Sequence, residues 1–160
     1  MNELVWPAGH EAFYKQVKDS ADQILSGVVL AIDPSSGGSS KPGFALAREG
    51  QLKHSGVINI LQMLPIERRL QQLYLRIKAL TNDVPNVFAI ERIRGRTAHA
   101  HLQWAVGTSI AASQAPIFIE IPTDIWKAVA KTDPKYKKGD EADAIKMLEA
   151  LLLLAGNEHS

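Results

Sequence analysis

The chain contains no cysteine in its 160 residues, which excludes disulfides and thiolate metal sites and fits a reducing, cytoplasmic compartment. It has no long apolar run: no stretch approaches the length needed to span a bilayer. The amino-terminal MNELVWPAGHEAFYK has neither a basic flank nor an apolar core, so neither secretion nor membrane insertion is expected. Net charge is also scarce, since 18 Lys and Arg against 17 Asp and Glu leave only +1. That balance carries no global sign of a polyanionic partner, so a nucleic acid has to be sought in where the charges sit. Internal repeats and low-complexity tracts are absent, and PSSGGSSKPG lacks the glycine-lysine-serine/threonine ending of a nucleotide P-loop. A chain of this size with no shift in composition is one domain, long enough to bury a full core.

Charge is distributed unevenly. From Arg92 to Gln103 the chain carries Arg92, Arg94, Arg96, His99 and His101 and no acid. From Lys127 to Lys138 five lysines (Lys127, Lys131, Lys135, Lys137 and Lys138) face the single Asp133. Two basic segments therefore sit inside a nearly neutral chain. Either is ordinary solvated surface when taken alone; if both adjoin one site, they form a binding groove.

Hydropathy patterning orders the elements. Residues 1 to 26 read as an extension holding a short amphipathic helix, with Phe13, Val17, Ala21 and Ile24 at helical spacing. GVVLAID (27 to 33) is a β-branched apolar run, the pattern of a central strand covered on both faces. GFALARE and QLKHSGVINI, separated at Gly50, read as a hairpin returning beside it. A helix follows Pro65 with Ile66, Leu70, Leu73, Ile77 and Leu80 on one face; NVFAIE and IFIEI are further buried strands. Helices are expected over about Ala98 to Gln114, from PTDIWKAVA, and over EADAIKMLEALLLLA, with KTDPKYKKGD as a polar loop between the last two. The outcome is an α/β domain, a mixed five-stranded sheet flanked by helices.

Four acids stand out against this frame. Asp33 ends one apolar strand, Glu91 ends another, and Asp140 and Asp143 lie three apart entering the last helix. Singly, each has an ordinary explanation: a turn residue, a partner for Arg92, Arg94 or Arg96, or acids favouring a helix dipole. If the two strands lie side by side, all four meet at one point. Such a cluster stays ionised near neutral pH only with divalent cations at its centre. Hard oxygen donors suit Mg2+ or Mn2+ better than zinc. Arg92, Arg94 and Arg96 leave the strand just after Glu91 and would line the rim, with Lys131, Lys135, Lys137 and Lys138 as a second wall. Such contacts hold a phosphate backbone without reading bases.

The sequence resembles the RuvC-type Holliday junction resolvases of the RNase H-like nuclease superfamily. The likeness runs in order from about Val28 to Leu152, through VLAIDPSS with GFAL, SGVI, PNVFAIER, HLQWAVGTSIAAS, PIFIEIPTDIWK and DEADAI. It implies an RNase H-like domain over 27 to 160, preceded by the helical extension of residues 1 to 26. Asp33, Glu91, Asp140 and Asp143 correspond to the family's catalytic metal-binding acids, and Lys127 to a lysine placed near the scissile phosphate. By the same resemblance the activity is hydrolysis of four-way DNA junctions by a homodimer, with two Mg2+ or Mn2+ ions per active site and 5′-phosphate products. The small residues Ala105, Gly107, Ala111 and Ala112 would serve close packing, against the sheet or against a second subunit.

Three departures mark a divergent branch. Only KTDPKYKKGD stands where the family has a further helix before the closing acids, Arg94 in RIRGR replaces an aromatic wedge found in some members, and the first 26 residues have no counterpart. Alternatives are another RNase H-like nuclease acting on branched DNA or RNA/DNA hybrids, and a junction-binding protein without catalysis. The latter would gain by losing the buried repulsion of four acids. An actin-like ATPase fragment would lack the second lobe needed to enclose a nucleotide.

Overall fold

The computed structural model describes residues 3–33, 41–61, 63–81, 85–92 and 115–157. The elements in chain order are α1 (Glu11–Asp19), α2 (Ala21–Ser26), β1 (Val28–Asp33), β2 (Gly43–Arg48), β3 (Gln51–Val57), α3 (Ile66–Thr81), β4 (Val87–Glu91), β5 (Ile117–Ile121), α4 (Thr123–Lys131) and α5 (Asp140–Asn157). The expected helix over Ala98 to Gln114, with Ala105, Gly107, Ala111 and Ala112, lies outside the described residues. So do Arg94, Arg96, His99 and His101.

The five strands form one sheet in the order β3-β2-β1-β4-β5. β1 pairs antiparallel with β2 and parallel with β4, and β4 pairs parallel with β5. The hairpin turns at Glu49 and Gly50, both at positive φ (52° and 76°), as a two-residue type I′ connection requires. The mixed five-stranded sheet is thus the one expected, with β1 at its centre. The strand expected over QLKHSGVINI ends at Val57, and Ile58 and Ile60 continue into the core as irregular chain.

Strand side chains alternate between two apolar layers, because the strand repeat is two. Val29, Ala31, Ala45, Ala47, Val87, Ala89, Ile119 and Ile121 face one layer, shared with Phe13 and Val17 of α1, Ile24 of α2, and Ala144, Met147, Leu148 and Leu151 of α5. Leu30, Ile32, Phe44, Leu46, Phe88 and Ile90 face the other, shared with Leu73 and Ile77 of α3. Alanines at 31, 45, 47 and 89 are the reason α5 can lie close to the sheet: they leave room that branched side chains would fill.

The single amino-terminal helix expected from spacing is two helices, parted at Ser20. The apolar positions are nonetheless those expected: Phe13, Val17, Ala21 and Ile24 are all buried. Two further ties hold this segment down: Gln16 Nε2 donates to the Phe118 carbonyl at 2.7 Å, and His10 Nε2 lies 2.9 Å from both carboxylate oxygens of Asp124 in α4. Among the described residues, no helix is long and apolar enough to cross a membrane.

Candidate active site

Strand parity places the first two acids. Asp33 follows Val29 and Ala31, and Glu91 follows Val87 and Ala89, so both belong to the α5 side of the sheet. Ile32 pairs with Ile90 in the parallel β1–β4 ladder, which sets the two acids at the same end of neighbouring strands. The first turn of α5 carries Asp140 and Asp143 to that end.

Gly43 makes the approach possible. It pairs with Asp33 across the β1–β2 ladder. A Cβ on Gly43 would overlap the carbonyl group of Asp140 and the amide nitrogen of Glu141. Only a residue without a side chain lets the helix start come down onto the strands here. A second tie runs from the hairpin, where Ser55 Oγ donates to Glu141 Oε2 at 2.8 Å.

Asp33 is buried, at 7% exposure, and its carboxyl lies within hydrogen-bonding reach of Asp140. Burial raises the Asp140 carboxyl above the ordinary carboxylate range, as do the negative charges of Asp143 and Glu91, while the Asp33 hydrogen bond opposes them. Glu91 and Asp143 are held by partners that sequence reading did not assign to them. Thr123 Oγ1, in the first turn of α4, donates to Glu91 Oε1 at 2.7 Å. The Tyr136 hydroxyl donates to Asp143 Oδ1. Burial pushes the Tyr136 hydroxyl well above its ordinary value, followed by the bond to Asp143 and the charges of Asp143, Asp33 and Glu91. Tyr136 and Asp140 thus each feel the charges of the other acids. As placed, however, no group of three or more His, Asp or Glu side chains among the described residues is set to enclose an ion.

The basic residues divide. Arg92 turns from Glu91 toward β5, its Nε 3.7 Å from Glu120 Oε2. Lys127, Lys131, Lys135, Lys137 and Lys138 are all exposed. Lys127, Lys131 and Lys138 line one cavity with Trp126, Ala130, Tyr136 and Asp143. The loop before α5 is fixed at its start: Asp133 Oδ2 takes a bond from buried Lys146 at 2.9 Å and Oδ1 one from the Lys135 amide, holding the Asp133 carboxyl below its usual range.

No protein-family model and no curated protein sequence matches the chain. Solved structures do. A Thermus thermophilus RuvC in complex with a Holliday junction substrate superposes with TM-score 0.59 at 17% identity, covering 82% of this chain and 93% of that one. A second T. thermophilus RuvC structure gives 0.52 at 21%, covering 82% and 94%. The yeast mitochondrial Holliday junction resolvase Ydc2 gives 0.63 at 13%, covering 91% and 87%. The chain therefore carries the RNase H-like fold that these RuvC-type resolvases share.

Proposed function

We propose that this chain is a metal-dependent, structure-selective endonuclease of the RuvC type, cutting four-way DNA junctions as a homodimer by paired symmetric hydrolysis. One observation carries this reading: Asp33 and Glu91 end neighbouring parallel strands on the sheet face that receives the first turn of α5, with Asp140 and Asp143 on that turn. Buried repulsion of this kind is costly to a protein that only binds.

The donor set fits a hard divalent cation. All four groups are carboxylates, and the raised Asp140 carboxyl marks a crowding that a cation would relieve. Thr123 and Tyr136 occupy one oxygen each of Glu91 and Asp143, which among the described residues leaves Oε2 and Oδ2 for an ion. Asp33, Glu91, Asp140 and Asp143 would hold two Mg2+ or Mn2+ ions, whose chemistry is to activate the attacking water and stabilise the leaving 3′ oxygen. The chain's own groups do the rest. Lys127 offsets negative charge on the phosphate; as water adds to phosphorus the bond to the 3′ oxygen breaks, which leaves a 3′ hydroxyl and a 5′ phosphate. Lys131, Lys135, Lys137 and Lys138 hold the backbone from the end of α4 and the loop before α5, and Arg94 and Arg96, which follow Glu91 in sequence, add further phosphate contacts.

The test is a panel of labelled substrates, namely four-way junction, linear duplex, Y-fork and RNA/DNA hybrid, with and without Mg2+, beside Asp33→Asn. The expected result is symmetric nicking of the junction, lost in Asp33→Asn while binding persists. Preferential cutting of the hybrid would replace this substrate with RNA/DNA, and binding without cutting would replace the enzyme with a junction binder.

A further inference from the structure

We propose that the cavity between α4 and the loop leading into α5 is a subsite for one unpaired nucleotide of the strand that lies over the acids. The proposal rests on the nuclease reading and adds what that reading leaves open, a place where a base is held. The cavity measures about 550 Å³, within the range of pockets that take small ligands. Its chemistry is divided. Trp126, Ala130 and the Tyr136 ring offer apolar and aromatic surface, Lys127, Lys131 and Lys138 bring three exposed cations, and Asp143 lies at the remaining edge. An occupant must therefore be flat and apolar in one part, anionic toward the lysines, and uncharged or donating toward Asp143. A nucleobase with its phosphate has that distribution. An acidic peptide or free phosphate matches only the lysines.

One further observation favours a base. Tyr136 belongs to both places: its ring lines the cavity while its hydroxyl holds Asp143. The occupant is thus the immediate neighbour of the acid cluster, as an adjoining nucleotide of the same strand would be. Because double-helical bases are stacked on both faces, the site accepts only an unpaired one.

The experiment is an abasic scan read by binding, in EDTA so that nothing is cut. A labelled four-way junction and a single-stranded oligonucleotide each carry one abasic site, moved a position at a time, and are titrated with the full chain by fluorescence anisotropy. At one position per bound strand, loss of the base is expected to weaken binding about tenfold. Ala130→Phe, which fills the cavity from its wall, should bind intact DNA about tenfold more weakly and be indifferent to the abasic position. Trp126→Phe keeps a ring but offers less aromatic surface to the cavity, and should shrink the position-specific penalty. If circular dichroism shows Ala130→Phe unfolded, Trp126→Phe with Lys131→Ala makes the same comparison. A flat scan in the unsubstituted protein overturns the subsite, as does a penalty unchanged in the folded variants. Displacement of DNA by polyglutamate as effective as by oligonucleotide also overturns it, leaving only a charged rim. A flat scan with junction preference retained removes the subsite and spares the junction reading. A position-specific penalty on single strands without junction preference does the reverse.

Discussion

Gly43 on β2 lies against the backbone of Asp140 at the start of α5, with no room between them for a methyl group. The same glycine pairs with Asp33 on β1, so one position without a side chain brings two of the four acids to each other. Gly43→Ala is expected to push the helix start away from the sheet. Overpacking of this kind costs about 1–3 kcal/mol, measurable as a lower urea midpoint. Nuclease activity should fall by more than about a hundredfold, because displacement of a reacting group by about 1 Å has that effect. Gly156→Ala is the control, since a Cβ there meets nothing within 4 Å.

Asp140 sits where its charge is unwelcome, with burial, Asp143 and Glu91 all raising its carboxyl. It therefore binds its proton more tightly in the folded chain than in the unfolded one. Folding is favoured at low pH on this account, and the cost builds as pH rises from the ordinary carboxylate range to the raised folded value. Above that value the cost is fully present. Asp140→Asn should accordingly raise the melting temperature at pH 7 in EDTA, by roughly a few degrees in a domain of this size. The gain should vanish below the ordinary carboxylate range, and Mg2+ should stabilise the unsubstituted protein more than the variant. Differential scanning fluorimetry across pH reads all three.

Thr123 fixes one oxygen of Glu91 and touches none of the other acids by a hydrogen bond. Thr123→Val keeps the side-chain shape and loses the donor. The Mg2+ concentration at half-maximal activity should rise about 10–100-fold, the usual cost of removing a partner behind a metal ligand. Thr123→Ser should restore most of it. A purely structural role for the hydroxyl would lower stability in Thr123→Val without this shift in metal dependence.

Much of this could be read from the residues. The apolar runs of β1, β4 and β5 are nearly continuous, and Gly50 marks the hairpin, because central strands and tight turns leave strong local signals. Asp33, Glu91, Asp140 and Asp143 stand at element ends, which is why their place at one end of the sheet could be anticipated. Their partners could not. Thr123 looks like an ordinary helix-start residue, Tyr136 like one aromatic in a lysine loop, and Gly43 like a strand glycine. Thr123 and Gly43 acquire their roles from segments far off in sequence, β4 and the α5 start, and Tyr136 acquires its role from Asp143 across the turn into α5. The break at Ser20 was equally hidden, since apolar spacing runs through it without interruption. Sequence spacing records which face a side chain takes, but not how closely two backbones approach.

The central claim is that Asp33, Glu91, Asp140 and Asp143 together hold divalent metal. Anomalous diffraction from crystals of the full chain soaked in Mn2+ tests it most directly. The account expects manganese density bound by Asp33 and at least two of the other three acids, absent from crystals of Asp33→Asn grown and soaked identically. Manganese found only elsewhere on the protein, with these four carboxylates bare, would contradict it.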